Sequence, residues 1–191
     1  MRGIAQKIST YLASTSITLA VNHDTTPFTS IYTRSGDTYT KLANPASLPL
    51  SGQRGLYWNA DGTTLTFSCN FTSPYIENYN RSGDVFTKLS NPATLPAGGT
   101  QKVAWSPTNT TVAISHGTTP FVTIYNRSGD TFTKVANPGT LPASTGIGVH
   151  FNPAGTSMAV AHVTSPRVTI YNKSGDTYIH QINQSRNIAH K

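Results

Sequence analysis

The sequence predicts an all-β fold built from four copies of one four-stranded unit. The hexapeptide YNRSGD at 79–84 returns nearly unchanged at 32–37, 125–130 and 171–176, with steps of 47, 46 and 46 residues between the tyrosines. A loop containing NPxxLP follows each of the first three copies, at 43–49, 90–96 and 136–142. Strand-forming residues alternate with turn residues throughout, and the spacing typical of helices is absent, so each unit is predicted to be a small antiparallel sheet.

The third unit shows the four strands most clearly. Its strand b is apolar or small throughout, which predicts burial on both faces, whereas strand d alternates and is more polar, as an outer strand is. Ser128 and Gly129 predict a tight hairpin between strands c and d, because Gly readily takes the positive φ that such turns need. In chain order the predicted strands are a (102–106), b (111–115), c (121–126) and d (131–135).

A four-stranded meander with a buried inner strand and a polar outer strand predicts a blade of a β-propeller. One blade cannot bury its own faces, so neighbouring blades must stack. The prediction is a single domain (1–191) of four antiparallel blades at about 8–43, 53–90, 101–136 and 147–182, with terminal tails at 1–7 and 184–191. Strand a of the first blade is predicted at 9–12. The sequence is compatible with two ways of completing the ring of blades: a closed four-bladed ring in one chain, or half of an eight-bladed dimer.

Composition and charge limit the classes of partner. The net charge is +7, but no run of Lys or Arg exists and the basic residues are scattered by the repeat, so a nucleic-acid partner is not expected. Cys69 is the single cysteine, which excludes a disulfide within the chain. The first 16 residues lack the apolar segment of a signal peptide, and no stretch has the length of a membrane span. Synthesis in a cytoplasm and no membrane partner are therefore expected.

A set of equivalent positions after strand b is the first candidate binding site. His23, His116 and His162 each precede a proline by four residues, and Cys69 takes this place in the second unit. Equivalent positions of different blades are expected to lie more than about 10 Å apart, whereas zinc needs its ligands within about 2.3 Å, so no metal site is predicted. The favoured interpretation is that each imidazole bonds to the adjacent loop between strands d and a. A ligand pocket in each blade is the alternative.

The d–a loops complete this candidate binding face. Asn44, Asn91 and Asn137 stand at equivalent positions in loops that two prolines each make rigid, and loops on a rigid scaffold commonly carry recognition. Because the b–c and d–a loops of a propeller open on the same side, these asparagines and the histidines are predicted to share one face. The alternative is that the loops are structural spacers, with their leucines (Leu48, Leu95, Leu141) packed between blades.

A second candidate surface is the rim formed by the c–d hairpins. Its basic residues are Arg34, Arg81, Arg127 and Lys173, each followed three residues later by an Asp. The favoured interpretation is a pair that closes its own turn, since exposed ion pairs contribute little else.

The aromatic residues of strand a have two interpretations. Trp58, Trp105 and Phe151 occupy one repeat position, which favours a packing layer between blades over a sugar site.

No catalytic constellation is visible, and the sequence predicts a protein that is not an enzyme. Of the seven acidic residues, four lie in the hairpin turns, and Asp24, Asp61 and Glu77 form no repeated or clustered pair. Neither catalytic, metal-binding nor cofactor-binding residues are assigned, and no cofactor is expected. A propeller hydrolase is kept as a distant alternative that requires a metal or an acidic cluster in the central channel.

The motif His-x-Thr-Thr-Pro-Phe-Val-Thr-Ile-Tyr-Asn-Arg-Ser-Gly-Asp-Thr-Phe-Thr-Lys (116–134), followed by Asn-Pro-x-Thr-Leu-Pro, resembles the WD-repeat-like propeller repeats of tailed-bacteriophage virion and tail-associated proteins. The resemblance covers about 17–182 and brings no catalytic residues. It implies a structural or tail-associated component of a phage particle, assembled in the bacterial cytoplasm. The partners it implies are other virion proteins or further copies of the chain, for assembly or host-surface attachment. A lectin-like module that binds a host-surface glycan is the alternative.

Overall fold

The computed structural model describes residues 17–181, and this stretch consists of strands and loops. No helix in it is long and apolar enough to cross a membrane. Blade 1 contains β1 (Ile17–Asn22), β2 (Thr29–Ser35) and β3 (Thr38–Lys41). Blade 2 contains β4 (Gln53–Trp58), β5 (Thr64–Cys69), β6 (Ile76–Ser82) and β7 (Val85–Lys88). Blade 3 contains β8 (Thr100–Trp105), β9 (Thr111–His116), β10 (Val122–Ser128) and β11 (Thr131–Lys134). Blade 4 contains β12 (Gly146–Phe151), β13 (Ser157–His162), β14 (Val168–Ser174) and β15 (Thr177–His180).

Each blade is an antiparallel meander in which sequential strands pair, and the predicted all-β class is confirmed. In blades 2, 3 and 4 the four strands correspond to strands a to d, whereas blade 1 contributes strands b to d. The strand a predicted at 9–12 and the tails predicted at 1–7 and 184–191 lie outside the described residues.

The c–d hairpin turns one residue later than the sequence indicated. Ser128 still belongs to β10 and pairs with Thr131, so Gly129 and Asp130 form the two-residue turn. Gly129 has a φ of 57°, the left-handed conformation that glycine adopts without steric cost. The same pairing recurs in the other three blades, which keeps every Arg or Lys of the motif at the end of strand c.

Every blade has two faces, because successive side chains of a strand point to opposite sides of the sheet. We call the face that meets the following blade the forward face and the face that meets the preceding blade the rear face. In blade 3, Ala113, Val122 and Ile124 lie on the forward face. Val112 and Tyr125 lie on its rear face.

The hydrophobic core consists of three clusters, and each lies between two blades rather than within one. The first joins Ala20 and Ile31 of blade 1 to Leu65, Phe67, Tyr79 and Phe86 of blade 2. The second joins Ile76 of blade 2 to Val103, Trp105, Val112, Ile114, Tyr125 and Phe132 of blade 3. The third joins Ala104, Ala113, Val122, Ile124 and Val135 of blade 3 to Val149, Phe151, Met158, Val160, Tyr171 and Tyr178 of blade 4. Each core is thus one forward face packed against one rear face.

Two faces lack such a partner within residues 17–181. On the rear face of blade 1, Leu19 and Val21 are 45% and 44% exposed, although their equivalents in blade 2, Leu65 and Phe67, are 0% and 1% exposed. We call this surface, Leu19, Val21 and Tyr39, the rear end face.

The forward face of blade 4 is open in the same way. Val168 and Ile170 are 46% and 42% exposed, whereas their equivalents in blade 3, Val122 and Ile124, are 0% and 2% exposed. We call Val168 and Ile170 the forward end face. The four blades therefore form an arc with one unfilled apolar face at each end of its described part.

Candidate functional site

The b–c and d–a loops lie on one side of the arc, as the sequence predicts, and contact each other across neighbouring blades. The backbone N of Thr164 donates to Ser144 Oγ at 3.1 Å. The backbone N of Asn70 donates to the carbonyl of Gly52 at 3.1 Å. We call this side the loop face. It is a continuous surface because each d–a loop is held by a b–c loop.

The candidate histidines lie at the edge of the loop face but point into the blades. His116 and His162 are buried, and His23 is half-buried. His116 Nε2 lies 2.9 Å from Thr123 Oγ1, and His162 Nε2 lies 3.0 Å from Thr169 Oγ1. His23 Nε2 lies 3.2 Å from the oxygen of the equivalent Ser30.

These contacts correct the predicted partner of the imidazoles. The sequence predicts bonds to the d–a loop, whereas the partners are hydroxyls on strand c of the same blade. The reason is the antiparallel register of strands b and c, which places a residue at the end of b diagonally opposite the residue seven positions later. The histidines therefore join the two central strands of a blade and offer little surface to a ligand.

Burial of His116 predicts a dependence of stability on pH. Desolvation lowers the pKa of the His116 imidazole below its usual 6.5, so the folded chain keeps it neutral while the unfolded chain binds a proton below that pH. The unfolded state then binds more protons, and the free energy of unfolding is expected to fall on acidification by up to about 1.4 kcal/mol per pH unit.

The measurement is urea denaturation between pH 7.5 and pH 5. The matched control is His116→Cys, which installs the residue that blade 2 carries at this position. Its stability is expected to fall less steeply below the ordinary histidine pKa. Equal slopes for the two proteins would contradict this role of His116.

Blade 2 replaces both members of the histidine–hydroxyl pair. Cys69 takes the place of the histidine and Glu77 that of the threonine, and both side chains are buried. Glu77 accepts hydrogen bonds from the backbone N of Leu50, at 2.7 Å, and from Lys88 Nζ. Burial, together with the charge of Glu77, raises the pKa of the Cys69 thiol to about 12, so the sulfur stays protonated and unreactive at neutral pH.

Sequence reasoning missed the role of Glu77. The available signal was that the His and the Thr of the repeat are substituted together in a single blade. Glu77 binds the d–a loop of blade 1 through Leu50 and strand d of its own blade through Lys88. In the part of the chain that the structure describes, no three His, Cys, Asp or Glu side chains are grouped in a way that would hold a metal ion.

The d–a loops expose their asparagines and bury their prolines. Asn44, Asn91 and Asn137 are all exposed. Lys134 Nζ donates to Asn137 Oδ1 at 2.7 Å. The alternative, in which the loop leucines pack between blades, does not describe Leu48, which is 37% exposed, while Leu95 and Leu141 are half-buried. The buried prolines, which are Pro45, Pro49, Pro92, Pro96, Pro138 and Pro142, fix these loops and present their polar side chains outward.

A groove lies between each of two d–a loops and strand d of the following blade. Between blades 2 and 3 it has a volume of about 330 Å³ and is lined by Asn91, Thr94, Thr133 and Lys134 among others. The equivalent groove between blades 3 and 4 has a volume of about 290 Å³ and is lined by Thr140 and His180 among others. The two grooves thus share threonine hydroxyls and a Lys or His at the end of strand d, and the first also has the Asn91 amide.

The rim residues close their own turns, as the sequence indicated. The Nε atoms of Arg34, Arg81 and Arg127 donate to the hairpin glycine carbonyls at 2.6–2.7 Å. The three guanidinium groups lie 3.2, 3.8 and 3.9 Å from the carboxylates of Asp37, Asp84 and Asp130, in that order. Because the carboxylate of each pair is exposed to solvent, the contribution of these ion pairs to stability is small.

The rim also connects neighbouring blades, which sequence reasoning missed. The Asn80 side-chain amide of blade 2 donates to the Asp130 carboxylate at the hairpin of blade 3. Asn126 of blade 3 donates in the same way to Asp176 of blade 4, at 2.7 Å. Lys173 Nζ of blade 4 donates to Thr111 Oγ1 of blade 3 at 3.2 Å. We call the Asn–Asp contact the rim clasp.

The aromatic residues of strand a form the predicted packing layer. The Trp105 ring meets Phe132 edge-on at 5.8 Å, and its Nε1 donates to Thr66 Oγ1 of the preceding blade at 2.9 Å. Trp58 makes the same ring contact with Phe86. Beside this layer, Tyr57 of blade 2 meets His150 of blade 4, with the hydroxyl 3.4 Å from Nε2, at a cavity of about 230 Å³ near the inner strands.

Solved structures with the same architecture define the class of the fold. A candidate 6-phosphogluconolactonase from Bacteroides fragilis is 16% identical, with a TM-score of 0.59, and the match covers 80% of this chain and 49% of that one. A functionally unknown protein from Desulfotomaculum acetoxidans is 13% identical, with a TM-score of 0.60, over 81% of this chain and 48% of that one. A chain of a nidogen/laminin complex is 10% identical, with a TM-score of 0.53, over 81% and 57%.

These matches show that the chain has a β-propeller fold, as the sequence predicts. At such identities they show the fold alone. The chain spans about half the length of the first of these structures. No protein-family model and no curated protein sequence matches it.

Proposed function

We propose that this protein is a non-enzymatic component of a phage particle that works by protein–protein assembly. The observation that carries the proposal is the pair of open end faces. The apolar side chains of these faces are more than two-fifths exposed, although the equivalent repeat positions are buried in every interior blade contact. Exposed apolar surfaces of this kind typically mark sites of protein association.

The phage assignment is supported by the repeat sequence, whose motif at 116–134 resembles that of tailed-phage virion proteins. The candidate residues fit a structural role. The buried histidines, Glu77 and the rim ion pairs are all engaged in contacts within the chain. We therefore propose localisation in the virion and partners that are proteins, with host-surface attachment as a further consequence of that position.

The test is to purify particles by density gradient from a lysate of cells that carry the gene and to quantify the chain by mass spectrometry. We expect it at a fixed stoichiometry relative to the other particle proteins. The matched control is a lysate in which particle formation is blocked, where the chain should leave the particle fraction. Absence from intact particles would contradict the proposal.

A lectin-like function is the second candidate, and the repeated grooves favour it. Both grooves present threonine hydroxyls beside Lys134 or His180, and the first adds the Asn91 amide, the kind of lining that binds polar ligands. Equivalent sites on successive blades would also add through multivalency. Binding of the purified chain on an array of bacterial surface polysaccharides would support a lectin-like function, and absence of binding across the array would contradict it.

A further inference from the structure

We infer that the two end faces bind each other between two copies of this chain, closing a ring of eight blades. This inference rests on the proposed assembly function and names the partner. The rear end face belongs to blade 1 and the forward end face to blade 4, so the contact joins different surfaces of the two copies. A two-fold axis repeats it, giving two identical contacts and no free end.

The two end faces carry apolar residues at the same repeat positions as the two sides of an interior contact between blades. In the core between blades 3 and 4, Val122 and Ile124 of the forward face pack against Met158 and Val160 of the rear face. The forward end face carries Val168 and Ile170 at the positions of Val122 and Ile124. The rear end face carries Leu19 and Val21 at the positions of Met158 and Val160. Joining the ends therefore recreates the part of an interior blade contact that strands b and c make.

The polar groups at the rim are complementary as well. In the interior clasps, an Asn of strand c donates to the hairpin Asp of the following blade. Asn172 holds this strand-c position in blade 4 and is exposed. Asp37 holds the hairpin position in blade 1, and its side chain is fully exposed, whereas that of Asp130, which is part of a clasp, is 66% exposed. Asn172 of one copy and Asp37 of the other thus complete a rim clasp at each contact.

The curvature of the arc indicates how many copies close the ring. Most of the chain matches about half of the residues of two of these solved structures, and 57% of the residues of a third. An arc with that curvature holds its two ends about half a ring apart, so one further copy of the same arc fills the gap. A different protein would need both a matching forward face and a matching rear face, which a second copy supplies by construction.

The first measurement is the mass of the full chain in solution by light scattering and analytical ultracentrifugation. We expect a single species at twice the 20.5 kDa of one chain, with no larger open assemblies. A monomer at all accessible concentrations, or a series of lengthening oligomers, would overturn the inference. A monomer that copurifies with particles would contradict the inference but leave the proposed function intact. A dimer that never enters particles would contradict the proposed function but leave the inference intact.

The second measurement uses variants at the two end faces. Ile170→Arg and Leu19→Glu each place a charge in both contacts of a homodimer and should raise its dissociation constant roughly a hundredfold or more. Both positions are exposed in the single chain, so the variants should keep the fold, and an unchanged circular dichroism spectrum checks this. The matched control is Val85→Arg. Val85 is 65% exposed and belongs to blade 2, which contributes to neither end face, so the dimer of this variant should be unaffected.

Mixing the two variants separates a contact between unlike faces from one between like faces. An I170R chain and an L19E chain together form one contact from two unaltered faces and one that pairs Arg with Glu. We therefore expect the mixture to recover a dimer that neither variant forms alone. If the mixture stays monomeric while the wild-type chain dimerises, the dimer does not form through these faces and the inference is wrong.

Discussion

Replacement of Trp105 by alanine is expected to lower the free energy of unfolding by about 3–5 kcal/mol, the usual cost of removing a large buried aromatic side chain. Trp105 is 4% exposed and belongs to the core between blades 2 and 3. It also donates a hydrogen bond from Nε1 to Thr66 Oγ1 of blade 2. The variant therefore loses packing within blade 3 and a bond between the two blades, and urea denaturation measures the loss.

The matched control for this variant is Tyr57→Ala. Tyr57 is an aromatic residue of the neighbouring strand a, but it is 37% exposed and bonds only loosely to His150. Its loss is expected to cost about 1 kcal/mol or less. Equal effects for the two variants would show that the Trp105 layer does not carry the contact between the blades.

The Cys69 and Glu77 positions of blade 2 are expected to tolerate a double exchange that neither tolerates singly. Glu77→Thr removes the acceptor of the Leu50 N–H and of the Lys88 ammonium group, at a cost of about 2–3 kcal/mol. Cys69→His alone forces a larger side chain against Glu77 and should cost about 2 kcal/mol. The double variant recreates the His–Thr pair of blades 3 and 4, and we expect its stability to lie above that of either single variant.

A double-mutant cycle measured by urea denaturation gives the coupling between the two positions, expected at about 1–3 kcal/mol in favour of the double variant. The control pair is His162 with Thr169, where the reciprocal exchange His162→Cys and Thr169→Glu lacks an equivalent of Lys88: His180 holds that position. That exchange should destabilise blade 4. Simple additivity at the Cys69 and Glu77 positions would contradict a repeat-specific pair.

The strands and blades were predictable because the repeat fixes them locally. The equal steps between Tyr32, Tyr79, Tyr125 and Tyr171 place each hairpin, and alternation of apolar residues assigns the strands. The one-residue error at the hairpin arose because Ser128 and Gly129 both suit a turn, and only the pairing of Ser128 with Thr131 decides between them.

The partners of the site residues were less predictable because they depend on register across strands. A sequence shows that His116 precedes a loop, but only the pairing of strands b and c shows that Thr123 is its neighbour. Glu77 was treated as an isolated acid, since its two donors, Leu50 and Lys88, are remote along the chain. The rim clasp was not predicted either, because Asn80 and Asp130 belong to different blades and are remote along the chain.

The end faces mark a further limit of sequence reasoning. Leu19 and Leu65 occupy the same repeat position and have the same chemistry, yet one is exposed and the other buried. Nothing in a repeat distinguishes a copy that has a neighbour from one that lacks it. The number of blades also leaves the curvature of the arc open, so both closures remained compatible with the sequence.

Placement of every core cluster between two sheets has a consequence for how such a chain can change in length. A unit of about 46 residues inserted between two existing blades brings one rear face and one forward face, and so adds one complete contact without disturbing the others. Duplication of a gene segment of that size is thus structurally neutral at the point of insertion. In the eight-bladed ring that we propose, its effect would appear only at the contacts between the two chains, because a longer arc would no longer close with a second copy.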